Sequence, residues 1–204
     1  MALFSGCAQY NAQGSYLALL LLNSAAGTAS SSAASQTRIF LTQATHNGNF
    51  VNIAGADAFC NADANRPSTT STYKALLADA ASRVSCTTSY CSGGTAENVD
   101  WVLRANTTYF RADGTTAIFT TGAAGVPVFN LTNSFTGAAD EYWTGLRGAG
   151  AEWISSTMRR CSFWADGTAG ATGANGIGNA VDGASIRNTT PTCDNLRKLL
   201  CVEQ

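Results

Sequence analysis

Charged side chains and histidine are scarce in this sequence. Only 12% of its 204 residues are Asp, Glu, Lys or Arg, the formal net charge is −1, and His46 is the single histidine. Such a composition gives no strong positive potential that would attract nucleic acid or an anionic membrane surface. It also has no C-x-x-C pair, and one histidine cannot complete a Cys/His zinc site. We therefore expect no nucleic-acid partner, no metal and no cofactor.

Catalytic motifs are missing as well. Neither G-x-S-x-G nor H-E-x-x-H occurs, and no nucleophile is recognisable beside His46. Asp140 and Glu141 are a pair of carboxylates, but adjacent residues on a strand point to opposite faces. The sequence predicts a protein that is not an enzyme.

Seven cysteines are more than a typical cytosolic protein contains. Their number favours disulfides formed in an oxidising compartment. Cys86 and Cys91 enclose a short polar segment and are followed by Gly93-Gly94. This spacing predicts a local disulfide that closes a loop.

Two further cysteines, Cys193 and Cys201, stand at the ends of a run that reads as a strand. Eight extended residues separate them by roughly 26 Å, whereas a disulfide joins Cα atoms about 5.5 Å apart. If both are oxidised, each must reach a different upstream segment. The partners available are Cys60 and Cys161, in a nested arrangement (60–201 with 161–193) or a crossed one.

The odd cysteine, Cys7, ends the run Leu3-Phe4-Ser5-Gly6-Cys7. This run resembles a bacterial lipoprotein box, in which small residues precede the cysteine that receives the lipid. It predicts lipidation of Cys7 and a membrane anchor. The alternative is a free thiol in a flexible tail.

No apolar run is long enough to span a bilayer. The longest, YLALLLL at 16–22, has seven residues where about 20 are needed. Residues 23–36 are almost all Ser, Ala, Thr and Gly, a composition typical of a flexible tether. We divide the chain into a lipoprotein-type N-terminus and tether at 1–36 and a folded domain at 37–204.

Apolar periodicity within the folded domain predicts an α+β fold. Residues 38–44 read as a first strand, and 53–65 as a first helix with Cys60 on its core face. Residues 73–84 give the clearest amphipathic pattern, which predicts a second helix. We expect two helices flanking a small, twisted, mainly antiparallel sheet, with a long glycine-rich loop at 165–192.

Several fragments carry a family resemblance. They are GADAFCNADA (55–64), TYKALLADAASR (72–83), NVDWVL (98–103), YFRADGTTAIFTT (109–121), YWTGL (142–146), CSFW (161–164) and TCDNLRKLLCVEQ (192–204). The order and spacing of all of these except NVDWVL and YFRADGTTAIFTT resemble the C-type lectin-like fold, and the last fragment, with GADAFC and YKALL, resembles its endostatin branch. The set is similar to a DUF1554-like family of spirochaetal lipoproteins of unknown function. The resemblance implies nested disulfides, Cys60 with Cys201 and Cys161 with Cys193.

The resemblance does not extend to calcium-dependent sugar binding. The Glu-Pro-Asn, Gln-Pro-Asp and Trp-Asn-Asp tripeptides of calcium-binding C-type lectins are absent, and 165–192 contains only Asp166 and Asp182 as carboxylates. A calcium cage needs six to eight oxygen ligands. The long loop is then either an adaptable binding surface or an idle flexible loop.

A small basic patch is the remaining candidate site. The residues that could form it are Arg147, Arg159, Arg160, Arg187, Arg197 and Lys198. Endostatin-like domains bind sulfated glycosaminoglycans through clustered arginines, so the resemblance implies such a ligand, whereas the alternative is scattered solvated charges. The candidate ligand-binding residues are Arg159, Arg160, Trp164 and Asp166.

These patterns together predict an exported, lipid-anchored protein of the bacterial outer membrane or cell surface. It acts as a calcium-independent binding module, for a host matrix protein or a glycosaminoglycan. The alternative function is a structural envelope lipoprotein with no external ligand.

Overall fold

The computed structural model of the protein describes residues 36–148 and 150–204. The lipidation predicted at Cys7 and the apolar run at 16–22 lie outside these residues. Within them, no helix is long and apolar enough to cross a membrane.

Seven strands form one curled, mixed sheet. They are β1 (Thr37–Leu41), β2 (Tyr73–Ala75), β3 (Thr108–Arg111), β4 (Ala117–Thr120), β5 (Glu141–Trp143), β6 (Asn175–Ile177) and β7 (Lys198–Glu203). Their order is β4-β3-β1-β7-β5-β6, and β2 also pairs with β7. Two pairings, β1 with β3 and β5 with β7, are parallel, and the other four are antiparallel. The predicted α+β class is confirmed.

The first helix, α1, spans Ile53–Ala62, inside the predicted 53–65. The Asn52 side chain caps it by accepting a hydrogen bond from the Gly55 N–H at 3.0 Å. Ile53, Ala56 and Cys60 are its buried residues, at the spacing of one helix face. A second helical segment, α2 (Cys161–Trp164), is a single turn.

The helix predicted over 73–84 is not formed. Tyr73–Ala75 is strand β2, and the Leu76 N–H donates to a β7 carbonyl oxygen at 2.8 Å. Leu76 and Ala78 belong to one core cluster and Leu77 to another, an alternation with the period of a strand. Neighbouring leucines fit either period, so pairing with β7 decides the structure.

The rest of that segment is organised around a buried arginine. The Arg83 guanidinium donates to both carboxylate oxygens of Asp57, on α1, at 2.8 and 2.7 Å, and to Asp100 at 2.7 Å. It also donates to the Ala75 carbonyl oxygen. A side chain with this charge is buried only where such partners compensate it, and here they fasten α1 to the chain after β2.

Strand β7 divides the hydrophobic core into two clusters. Leu200 and Val202 pack in one cluster, whereas Leu199 and Cys201 pack in the other. Five of the six β7 residues are buried, which fits a central strand covered on both faces.

Three disulfides reinforce this core. Their pairs are Cys60–Cys201, Cys86–Cys91 and Cys161–Cys193. The first joins α1 to β7, and the third closes the long loop. The Glu203 carboxylate adds a polar fastening: it accepts hydrogen bonds from the Arg38 guanidinium, twice at 2.8 Å, and from the Ser71 hydroxyl at 2.6 Å.

The two disulfides that close loops of very different length should differ in their contribution to stability. In the chain-entropy model, replacing Cys60 and Cys201 with alanine should lower the free energy of unfolding by about 5 kcal/mol. The same change at Cys86 and Cys91 should lower it by about 2 kcal/mol, because the sequence separations are 141 and 5 residues. Urea denaturation without reductant, in a Cys7→Ser background, measures both. Equal losses would contradict this account.

The Glu203 fastening should make stability depend on acid pH. The hydrogen bond with Arg38 is the main cause that lowers the pKa of Glu203. A lowered folded-state pKa means that the stabilisation is complete above the ordinary carboxyl pKa, about 4.3, and is lost as pH falls through the folded value. Glu203→Gln should therefore reduce stability at pH 7 and flatten the decline between pH 5 and pH 2 in denaturation curves. Arg38→Met should flatten the same region, and an unchanged profile in either variant would disprove the link.

Candidate ligand-binding site

Three arginines from remote parts of the chain converge on one cavity. Arg147, Arg159 and Arg187 line it together with Ser156, Thr157 and Met158, and its volume is about 280 Å³. We call it the arginine pocket. Of the basic residues considered in the sequence, the structure brings these three to one place.

Backbone pairing beside the sheet positions each arginine. Arg147 follows β5, and its N–H donates to the Ile154 carbonyl oxygen at 2.8 Å. The Arg159 carbonyl oxygen accepts from the Ala174 N–H at 2.9 Å, next to β6. Arg187 lies two residues after the short 3-10 turn at 183–185, and its N–H donates to the Gly183 carbonyl oxygen at 2.9 Å. Three separate loops therefore meet here because strands fix their ends.

Buried side chains on β5 and just after it hold the backbone that immediately precedes Arg187. The Tyr142 hydroxyl donates to the Ser185 carbonyl oxygen at 2.8 Å, and the Thr144 hydroxyl donates to the Ile186 carbonyl oxygen at 2.6 Å. Tyr142 and Thr144 are fully buried. The pocket is thus attached to the core by groups with little freedom to move.

No carboxylate compensates the charge of the arginine pocket within residues 36–148 and 150–204. The ion pairs found there involve other basic residues. Burial, followed by repulsion from Arg159 and Arg147, lowers the pKa of Arg187. Three positive charges accordingly face one cavity and repel one another.

Arg197 and Lys198 do not belong to this patch, which corrects the wider grouping considered from the sequence. Arg197 pairs with Glu141 at 3.0 Å, and Lys198 pairs with Asp140 at 2.9 Å. They line a different groove, beside Leu196. Their charges are already compensated.

Arg160 contributes to a second cavity, of about 410 Å³, which shares Thr157 and Met158 with the arginine pocket. The guanidinium carbon of Arg160 lies 3.5 Å from the centre of the Phe163 ring. The same guanidinium donates to the Asp79 carbonyl oxygen. We call this second space the aromatic cavity.

The turn α2 presents Phe163 to the aromatic cavity through an unusual backbone. All four residues from Cys161 to Trp164 have positive φ, between 45° and 63°. This left-handed region costs L-residues about 1–2 kcal/mol each. The Cys161–Cys193 disulfide and the Trp164 indole, which donates to the Ala78 carbonyl oxygen at 2.9 Å, hold the turn.

The structure separates the four ligand-binding residues predicted from the sequence. Arg159 and Arg160 line the two cavities. Trp164 is fully buried, so the prediction that it contacts a ligand is wrong: it supports α2 from within the core. Asp166 lines neither cavity, and its carboxylate accepts a hydrogen bond from the Thr168 N–H at 2.8 Å. Hydrogen bonding from the Thr168 side chain, and then from its N–H, lowers the pKa of Asp166 and closes a local turn.

Sequence reasoning missed Phe163 and Met158. Positive φ at a phenylalanine leaves no signature in composition or periodicity, so the outward direction of Phe163 is not readable from the sequence. Met158 follows Thr157 in a loop without a motif.

One stretch of the glycine-rich loop is packed instead of open. Gly173 to Gly176 are buried, and a Cβ on Gly173 would stand 2.7 Å from the Trp143 ring. A Cβ on Gly176 would stand 2.2 Å from the Ser185 carbonyl oxygen. Glycine permits these close approaches, which corrects the expectation of an adaptable or idle loop for this stretch. Within the described chain, no group of three or more His, Cys, Asp or Glu is placed to hold a metal ion.

Neutralising one arginine of the pocket should not weaken the fold. Arg187→Gln removes repulsion, so we expect its free energy of unfolding to stay within about 0.5 kcal/mol of the parent protein or to exceed it. Arg197→Gln, the matched control, breaks an ion pair and should cost up to about 1 kcal/mol. Urea denaturation at low salt measures both. A loss above about 1 kcal/mol for Arg187→Gln would assign Arg187 to the fold and not to a site.

Comparison with known proteins identifies the chain at the level of a family. No curated protein matches it significantly. A family model described as "Protein of unknown function (DUF1554)" matches residues 43–181. This span contains α1, Cys161 and the residues between Arg147 and Thr172 that line the two cavities. Because the matched span covers more than half of the sequence, the chain belongs to the DUF1554 family of proteins of unknown function.

Proposed function

We propose that this protein is a calcium-independent binding module that takes an acidic group of its ligand in the arginine pocket. The observation that carries the proposal is the meeting of Arg147, Arg159 and Arg187 at one cavity with no carboxylate beside them in the described chain. Guanidinium groups bind carboxylate, sulfate and phosphate through paired, charge-assisted hydrogen bonds. A bound anion would neutralise the positive charge of these three arginines.

The pocket suits such a group in size and environment. A cavity of about 280 Å³ is at the small end of ligand sites, which fits one acidic substituent of a larger molecule. Arg159 and Arg187 are half-buried. Partial burial weakens the competition of water, so an anion gains more here than at fully exposed arginines.

We assign the domain to the C-type lectin-like fold, near its endostatin branch. The curled mixed sheet, the α1 helix joined to β7 by Cys60–Cys201, and the long loop closed by Cys161–Cys193 support this assignment. The lack of the calcium-binding tripeptides supports binding without calcium. Ligands consistent with the resemblance are a host matrix protein or a glycosaminoglycan.

We place the protein outside the cytoplasm, at the outer membrane or cell surface, held by a lipid on Cys7. The three disulfides support an oxidising compartment. The competing function is a structural envelope lipoprotein with no external ligand. Mutual repulsion of three arginines favours the binding module, because a purely structural domain gains nothing from it.

The test is binding of the full chain to immobilised sulfated glycosaminoglycans and matrix proteins, in calcium and again in EDTA. Binding should survive EDTA and weaken as salt rises, since it depends on charge. The double variant Arg159→Gln/Arg187→Gln should lose at least about tenfold in affinity, from two charge-assisted contacts. Arg197→Gln/Lys198→Gln is the control of equal charge and should bind as the parent does.

Two results would overturn the proposal. Loss of binding in EDTA would refute calcium independence. A blank array from protein with intact disulfides and a cooperative melting transition would support the structural envelope function instead.

A further inference from the structure

The aromatic cavity lies directly beside the arginine pocket, and its chemistry is different. Phe163 and Met158 bring apolar surface to it and are 46% and 76% exposed. Large apolar side chains with this exposure are surface that a ligand would cover. The aromatic cavity therefore offers apolar contact beside Arg160, whereas three arginines and no large aromatic ring line the arginine pocket.

Three hydroxyl groups surround the apolar surface. Thr157, Ser162 and Thr172 line the aromatic cavity, and the Ser162 side chain also forms a hydrogen bond with Asp166. A hydroxyl both donates and accepts. Together with an aromatic ring, such groups match a molecule that has an apolar face and an edge of hydroxyls.

Stacking with Arg160 sets the orientation of the Phe163 ring. The guanidinium carbon lies 3.5 Å from the ring centre. The guanidinium is held there because it donates a hydrogen bond to the Asp79 carbonyl oxygen. The ring is thereby positioned before a ligand arrives, which reduces the entropy lost on binding. Arg160 covers one face of the ring, so a sugar ring would stack on the opposite face, whose negative charge density attracts polarised C–H groups.

An extended peptide fits this surface less well, because the backbone around the cavity is already paired. Arg160 forms a β-bridge with Gly173, and the Cys161 N–H donates to the Thr172 carbonyl oxygen at 3.2 Å. On the other side, the Gly173 N–H donates to the Pro191 carbonyl oxygen at 3.1 Å. Peptides that add to a strand need a free row of backbone groups. A ligand that binds through side chains is favoured.

The two cavities are close enough to act on one molecule. They share Thr157 and Met158 as a common wall, and the consecutive residues Arg159 and Arg160 line one cavity each. A group in the aromatic cavity can therefore carry a substituent that enters the arginine pocket.

From this geometry we infer that the ligand is an acidic saccharide: the aromatic cavity holds its sugar ring against Phe163, and its carboxylate or sulfate enters the arginine pocket. The acidic half of this inference rests on the proposed function. The sugar half rests on the aromatic cavity alone.

Small probes separate the two halves. The full chain is titrated with inorganic sulfate and acetate, with glucose 6-sulfate and glucuronic acid, and with a tri-glutamate peptide, by ligand-observed NMR. At least one acidic sugar should bind roughly five times more tightly than its free acid, the gain expected from one aromatic stacking contact. Phe163→Leu should abolish this gain without changing sulfate binding, and Phe163→Tyr should keep it.

Further variants control for folding. Val128→Ala, a change at an exposed apolar residue outside both cavities, should leave all affinities unchanged. If Phe163→Leu melts below the parent protein, Thr172→Val provides the test instead and should reduce the acidic-sugar gain about threefold by removing one hydroxyl.

The outcomes distinguish the inference from the function on which it rests. Sulfate that binds, with neither acidic sugar gaining over its free acid, refutes the sugar subsite and leaves the anion-binding function intact. Failure of every probe refutes both. A peptide whose binding exceeds that of the sugars and depends on Phe163 overturns the assignment to a saccharide.

Discussion

The position of β7 at the centre of the sheet is the constraint on which the rest of the structure depends. Strands β1, β2 and β5 all pair with β7, and its Cys201 is joined to α1. The candidate site depends on it too, because the pairing with β7 holds β5 in place. Tyr142, on β5, and the following Thr144 then fix the backbone that leads to Arg187. The last strand of the chain thus organises both the core and the surface that we assign to binding.

The site combines rigid support with local electrostatic cost. Three arginines repel one another, and four consecutive residues of α2 occupy a left-handed conformation. Each feature lowers stability, and buried side chains and a disulfide offset that loss. Backbone strain and uncompensated charge concentrate at ligand-binding sites, because a bound ligand can supply the missing opposite charge and contacts.

An element can be predicted from the sequence when the residues that determine it lie close together along the chain. Helix α1 is predictable because its buried face, Ile53, Ala56 and Cys60, lies within eight consecutive residues. Residues 73–84 do not form the predicted helix, because two adjacent leucines fit both periods and pairing with the distant β7 decides between them. Arg147, Arg159 and Arg187 could be named from the sequence, but their convergence depends on topology. The ion pairs that set Arg197 and Lys198 apart are equally non-local.

The conformation of α2 also limits whether the surface that we assign to binding could be moved to another protein. Glycine would fit a left-handed turn most easily, yet the chain places Cys, Ser, Phe and Trp there. Their shape is imposed by Cys193 and by the Ala78 carbonyl oxygen, both far away along the chain. The tetrapeptide is therefore not a portable module. Moved to another loop, it would relax to an ordinary turn, and Phe163 would lose its place beside Arg160.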